Sequence, residues 1–326
     1  MKTTVSALML AACWAMPLYA QETTISVGFG PVLDTPYGQG HVEWQRLLAE
    51  KSGGDMTIEL FPSDQLGSGK QVIDQMLLGE PVCYSTDASF FAEVGVPDMS
   101  IVQAPFLFRN WDEAERLFAS DWWADQEEAL AQKGLKVVAH NWRYGARQTL
   151  TTRKVEHPAD FAGMKIRAPQ STIYLKTFEH LGASPTPMAL GEVYTSLQQG
   201  VIDGLENPLS VIWGGKYHET AKHLLIDNHM LTVNLIACSG MLWDGLSAEQ
   251  QELLEQTAAE AGVYQNNLLT KEDERILGEL QNAGVIVTQA DYEEFSQAVE
   301  GFYDDPAFSQ WTPGLRETVI QQLGRE

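Results

Sequence analysis

The sequence predicts an α/β protein built as two lobes, and three observations carry that prediction. The chain has 326 residues, too many for one ordinary core and suited to two domains of roughly 150 residues each. Short β-branched or apolar runs alternate with amphipathic segments of helical period, the pattern of helices covering sheets. One late segment keeps its helical character long enough to brace two lobes. Hydrophobic residues make up 44% and charged residues 20%, with glycine and proline scattered, so a disordered or low-complexity chain is excluded.

The elements can be justified in order. Strands are expected at Thr24 to Phe29, Met56 to Phe61, Val82 to Thr86, Leu135 to His140 and Met164 to Ala168. Amphipathic helices are expected between them, at about Gly38 to Lys51, Lys70 to Leu78, Trp111 to Phe118 and Asp125 to Gln132. Glycine stands where helices should end, at Gly53, Gly79, Gly134 and Gly200. Ser247-Ala248-Glu249-Gln250 has the form of a capping box, and no proline follows before Asn282. The resulting helix would be about 50 Å long at 1.5 Å per residue. There is no internal repeat and no flexible linker, so crossing strands are expected to join the lobes.

The first twenty residues read as a secretory signal: Lys2, an apolar stretch from Val5 to Met16, a break at Pro17, and Ala20 before the polar Gln21-Glu22. Cleavage after Ala20 places the mature chain in the periplasm. A lipid-modified Cys13 after Leu10-Ala11-Ala12 is the minor alternative. The apolar run is too short to span a bilayer, so no stable membrane insertion of the mature chain is expected. Cys83 and Cys238 then remain, each in an apolar β-like run; buried free thiols are the expectation, and a disulfide is the alternative an oxidising compartment allows.

Lys and Arg total 21 against 44 Asp and Glu, a formal charge of −23. Such a surface repels phosphate backbones, which excludes nucleic-acid binding, and an anionic ligand would have to be held by a few local cations. Catalytic and cofactor signatures fail in turn. Gly67-Ser68-Gly69-Lys70 lacks the first glycine of a phosphate loop, where Asp64 stands, and has Gln71 in place of Ser or Thr. Gly28-Phe29-Gly30 lacks the third glycine of a dinucleotide fingerprint, replaced by Leu33. His218, His223 and His229 have no zinc-ligand spacing, and no cofactor or metal is implied. In Gly163-Met164-Lys165-Ile166-Arg167-Ala168-Pro169, strand alternation separates Met164 and Ile166 from Lys165 and Arg167, and Pro169 ends the pairing. Arg167 thus lies at the carboxyl end of a strand, where open α/β sheets bind ligands, and its planar fork matches a carboxylate.

Several further stretches occur in a telling order: Lys51-Ser52-Gly53-Gly54, Phe61-Pro62-Ser63-Asp64-Gln65-Leu66-Gly67, Ala104-Pro105-Phe106-Leu107-Phe108, Gly163 to Pro169, Gly182 to Met188, Glu192-Val193-Tyr194, and Gln198 to Pro208. Over nearly all of the mature chain they resemble the extracytoplasmic solute-binding subunits of TRAP (tripartite ATP-independent periplasmic) transporters, in particular the branch that binds sugar acids and sialic acid. That resemblance implies a periplasmic solute-binding protein fold of two α/β lobes around a cleft, crossing hinge strands, a long helix spanning both lobes, and delivery of an organic acid to a membrane permease. The division it implies is residues 21–144 plus 233–272 for the first lobe and 145–232 plus 273–326 for the second.

Position by position, the resemblance makes Arg167 the carboxylate clamp, Arg147 in Gly-Ala-Arg-Gln-Thr a second cation, and Asn207 before Pro208 a hinge-side amide that hydrogen-bonds the ligand. Asp87, Phe90 and Leu190 depart from the sialic-acid binders, which have Glu, Arg and an aromatic there, so sialic acid is disfavoured. Asp87 and Gln170 could serve ligand hydroxyls, Lys70 could approach from the facing loop, and Trp213 or Phe91 could cover an apolar sugar face. These polar groups exceed what one carboxylate consumes, so a uronate or aldonate is the leading ligand. A C4-dicarboxylate or another carboxylate is the alternative. An enzyme using Asp87 or Glu206 in the interlobe cleft, or an exported structural or sensory protein, would be an answer of a different class.

Overall fold

The computed structural model describes residues 23–325; the expected signal peptide, the expected cleavage site and Cys13 lie outside the described residues. Among the described residues, nine strands form one continuous mixed sheet: β1 (Thr23–Phe29), β2 (Met56–Phe61), β3 (Val82–Asp87), β4 (Leu135–Thr151), β5 (Lys165–Ala168), β6 (Ser184–Pro187), β7 (Gly204–Pro208), β8 (His223–Ser239) and β9 (Ile286–Gln289). Their order is β2-β1-β3-β8-β4-β7-β5-β6, with β9 parallel to the start of β8.

Two lobes arise because β4 and β8, each 17 residues long, run antiparallel through both. Cys238 to Asn234 of β8 pair with β3, while Arg147 to Thr151 of β4 pair with β7. Four register shifts along β4 and β8 bend the ladder where it passes between the lobes. At Gly145 the chain adopts φ 134° and the Pro208 ring approaches to 2.8 Å of where a Cβ would stand, so β7 can lie against the crossing strand only because this residue has no side chain.

Strand alternation divides the core into two clusters on opposite faces of the sheet. Val82 and Tyr84 belong to one, with Phe161, Phe178 and Phe295; Cys83 belongs to the other, with Val27, Trp142 and Leu205. The second face is covered by the helix Ala248–Asn282, 35 residues and about 52 Å long. Its capping box is formed: Ser247 Oγ accepts from the Gln250 amide at 3.3 Å and Gln250 Oε1 accepts from the Ser247 amide at 2.9 Å. Near its start Lys136 reaches Glu255 at 3.0 Å, at its middle Trp142 Nε1 donates to the Ala258 carbonyl at 3.0 Å and Gln265 Nε2 to the Arg143 carbonyl at 2.9 Å, and at its end Lys222 Nζ donates to Ala283 at 3.0 Å. The helix therefore touches both lobes and the crossing between them.

One expectation is corrected. Cys83 and Cys238 are not free thiols: they are directly opposite in the β3–β8 ladder and form a disulfide. Their 155-residue separation concealed a pairing that only strand register creates. The last residues of the chain pack on the segment after β3. Trp311 Nε1 donates to Ser100 Oγ at 2.8 Å, and Arg325 donates to the Leu107 carbonyl at 2.6 Å and pairs with Glu113.

Candidate functional site

A cavity opens at the carboxyl ends of β1, β3 and β5 and reaches the middle of β4 and the end of β7. That edge of the sheet is where open α/β folds bind small molecules. Arg167, Arg147, Asn207, Asp87 and Gln170 all line it.

Arg167 stands beside the fully buried Ile166 near the end of β5, and Pro169 stops the strand. Its guanidinium is 4% exposed, and Nε and Nη2 donate to the Met188 carbonyl at 3.1 and 2.8 Å. Among the described residues, no ion pair is formed to its side chain. Burial lowers its pKa, an effect opposed by the charge of Glu206, yet a guanidinium keeps its proton. The result is a buried cation whose donors are only partly used, by a neutral carbonyl.

Arg147 is different. In the β4–β7 ladder it lies opposite Pro208, and Thr149 lies opposite Glu206. Arg147 and Glu206 are thus diagonal neighbours. They form a buried two-armed ion pair, with Nη2 2.6 Å from Oε1 and Nε bonded to Oε2. The guanidinium also stacks 4.9 Å from the Tyr174 ring centre. Glu206 Oε2 lies 3.3 Å from His229 Nε2, His229 Nδ1 lies 3.0 Å from Asp227, and Asp227 accepts from Thr149 Oγ1 at 2.7 Å. Burial raises the Glu206 pKa, but Arg147 and His229 outweigh it and hold the group at about 2. Burial likewise pushes the His229 pKa down, and Asp227 with Glu206 lifts it to about 9.

Asn207 is 1% exposed. Its Oδ1 accepts from Tyr144 Oη at 3.2 Å and Arg147 Nη2 at 3.3 Å, while its Nδ2 is buried with no partner. A buried amide donor without an acceptor is costly, and here it borders a cavity.

Asp87 ends β3 and caps the helix Ala88–Ala92, accepting from the Ser89 amide at 2.9 Å; its Oδ2 accepts from Tyr174 Oη at 3.0 Å. Asp64, from the loop after β2, accepts from Tyr84 Oη at 3.3 Å and from the Gly191 amide at 3.4 Å. Glu93 Oε1 accepts from the Thr172 amide at 3.3 Å. Of these contacts, those to Tyr174, Gly191 and Thr172 join a first-lobe carboxylate to a second-lobe donor, and burial raises the pKa of each acid.

Three expected residues stand elsewhere. Phe91 is fully buried in the core, and its neighbour Phe90 lines the cavity, because consecutive positions on a helix point about 100° apart. Trp213 stacks on His218 with ring centres 4.5 Å apart. Lys70 follows Gly69 into the helix Gly69–Leu77 and turns out to Asp74, 3.9 Å away, leaving Ser68 and Gly69 at the cavity wall. Conversely, Asp64, Tyr84, Tyr144 and Met188 line the site without having been singled out. Asp64 lay within the Phe61 to Gly67 stretch, but nothing local marked its side chain as facing a cleft.

Among the described residues, no group of three or more His, Cys, Asp or Glu side chains could hold a metal ion. No helix of the described residues is long and apolar enough to cross a membrane.

Two α/β lobes on crossing strands, with a buried cation and an unpartnered amide at their junction, define an extracellular solute-binding protein. Residues 32–310 match the bacterial extracellular solute-binding proteins of family 7, the DctP family, and the chain belongs to that family. The chain is similar to the 2,3-diketo-L-gulonate-binding periplasmic protein YiaO of Escherichia coli, 34% identical over 78% of this chain and 77% of that one. In structure it is similar to a TRAP periplasmic solute-binding protein of Actinobacillus succinogenes with bound L-galactonate. The TM-score is 0.90 at 33% identity, covering 93% of this chain and 99% of the other. A TRAP periplasmic solute-binding protein of Ochrobacterium anthropi with bound L-fuconate gives a TM-score of 0.90 at 35% identity, with the same 93% and 99% coverage.

Proposed function

We propose that this protein captures a sugar acid, an aldonate or uronate, in the periplasm and delivers it unchanged to the membrane permease of a TRAP transporter. The observation that carries the reading is the buried Arg167 guanidinium, free of any ion pair among the described residues, in the same cavity as the unpartnered Nδ2 of Asn207. A ligand carboxylate supplies what both lack: negative charge for the first and an acceptor for the second. L-galactonate and L-fuconate, bound by similar proteins, are acids of this class.

The ligand first docks on Arg167 in the open cleft. Closure brings first-lobe groups onto its hydroxyls and forms the Asp64–Gly191, Asp87–Tyr174 and Glu93–Thr172 contacts. The closed state is favoured to the extent that the ligand binds it more tightly. Excluding water strengthens the ion pair, although desolvating both ions offsets part of the gain. Neither Glu206 nor Asp87 is a free catalytic base: the first is bound to Arg147 and His229, the second to Ser89 and Tyr174. Export by cleavage after Ala20 belongs to the same reading.

Thermal-shift screening of the mature protein against aldonates, uronates and dicarboxylates tests it, since a ligand that binds only the folded state raises Tm. The expected result is a saturable rise with a sugar acid and recovery of that acid unaltered. A library in which no carboxylate raises Tm, or in which the ligand is consumed, would refute the reading.

A further inference from the structure

Four charged side chains line this cleft, and they do not welcome anions of every valence. Two guanidiniums, Arg147 and Arg167, face two carboxylates, Asp64 and Asp87, while Glu206 is fully buried against Arg147 and does not line the cavity. Glu206 occupies both arms of Arg147, and the His229–Asp227 pair behind it is neutral overall. Arg167 is therefore the only cavity-lining cation, among the described residues, with no carboxylate partner. The first lobe contributes Asp64 and Asp87 to the wall, and Lys70, the nearest cation in sequence, is turned away toward Asp74.

Resting on the carboxylate-capture reading above, we infer that the cleft selects ligands carrying one negative charge, polyhydroxylated monocarboxylates, and rejects the diacid of the same carbon skeleton. One carboxylate satisfies Arg167 and Asn207. A hydroxyl at the far end of the ligand can donate a charge-assisted hydrogen bond to Asp64 or Asp87. A second carboxylate has no proton to donate, finds no unpaired cation, and adds like charge in a low-dielectric cleft. Selectivity then comes from repulsion on the first-lobe wall, acting together with attraction on the second.

Titration calorimetry of the mature protein at neutral pH with L-galactonate and galactarate tests this directly, because the two differ only in a hydroxymethyl or a carboxylate at one end. Gluconate with glucarate repeats the comparison in another stereochemistry. The monoacid that binds is expected to do so about a hundredfold or more tightly than its diacid. Asp64→Asn should narrow that gap about tenfold, through a gain for the diacid. A diacid that binds within about threefold of its monoacid in the unaltered protein, or more tightly, overturns the inference while leaving carboxylate capture intact. A gap unchanged in both Asp64→Asn and Asp87→Asn removes these two residues as its source and overturns it as well. Failure of every acid of either valence to bind overturns the carboxylate-capture reading, and the valence inference with it.

Discussion

Arg147 and Glu206 are diagonal neighbours across β4 and β7, buried together and joined by both arms of the guanidinium. The pair sits at the crossing of the lobes, with His229 and Asp227 extending it into β8. Two arginines that look alike as sequence thus have different states. Arg147 is neutralised by the protein itself, whereas Arg167 has no carboxylate partner among the described residues.

The network predicts a window of stability against pH. Glu206 has a folded pKa of about 2, below its ordinary 4.5, so its contribution is present above pH 4.5 and is lost as pH falls toward 2. His229 has a folded pKa of about 9, above its ordinary 6.5, so its contribution is present below pH 6.5 and is lost as pH rises toward 9. Stability measured by urea unfolding should be greatest between about pH 4.5 and 6.5, with the alkaline decline abolished in His229→Gln. An alkaline limb of the same size in that variant would show that His229 is not its origin.

Removing Glu206 should damage the fold rather than only the site. Glu206→Gln leaves the Arg147 charge buried without its partner, a loss of about 3–5 kcal/mol in unfolding free energy. A change below about 0.5 kcal/mol, the range of an ordinary surface substitution, would mean that Arg147 is not held as described.

Arg167→Met should separate binding from stability. The unaltered side chain is a buried cation without a carboxylate partner, so replacing it by an apolar chain of comparable length should leave the unfolding free energy of the ligand-free protein unchanged or higher. The ligand-induced rise in Tm should disappear, and affinity for the sugar acid should fall at least about a hundredfold. Binding within about threefold of the unaltered protein would refute the clamp.

Much of this architecture was legible from local pattern, and the illegible parts share a cause. The helix Trp111–Phe118 and the long helix after Ser247 announce themselves through periodicity and caps. By contrast, only Leu135 to His140 of the 17-residue β4 reads as a strand, because its register shifts break the alternation. β7 is missed because Glu206 and Asn207 are polar yet fully buried, a pattern that looks like a turn before Pro208. Partners fixed by register stay hidden for the same reason: Arg147 with Glu206, and Cys83 with Cys238. The place of Arg167 near the end of β5 was legible because a strand end followed by proline is a local signal, whereas the role proposed for it came from the family resemblance. Phe91 was misplaced because the helix Ala88–Ala92 spans five residues, too few for a periodicity to show which face is inward.

The Cys83–Cys238 disulfide should stabilise the first lobe. It closes a loop of 155 residues that includes the whole β4 crossing, and in the chain-entropy view it restricts the unfolded ensemble. Replacing both cysteines by alanine should cost about 2–4 kcal/mol, with the fold retained and ligand affinity little changed, since neither sulfur lines the cavity. Equal urea midpoints for the oxidised protein and the double variant would contradict a stabilising bridge.

Asn207→Asp offers the sharpest test of what the cavity seeks. The substitution keeps the shape and keeps Oδ1 as acceptor for Tyr144 and Arg147, but replaces the unpartnered Nδ2 by oxygen. Arg147 is already committed to Glu206, so the added buried charge should make the ligand-free variant less stable than the unaltered protein, and binding is read against that lowered baseline. A ligand carboxylate arriving at the same place meets an acceptor and a like charge in place of a donor, and affinity should fall by more than about tenfold. If the orphaned donor is instead served only by solvent, thermal-shift curves of Asn207→Asp and the unaltered protein will rise in parallel as sugar acid is added, and the amide has no part in recognition.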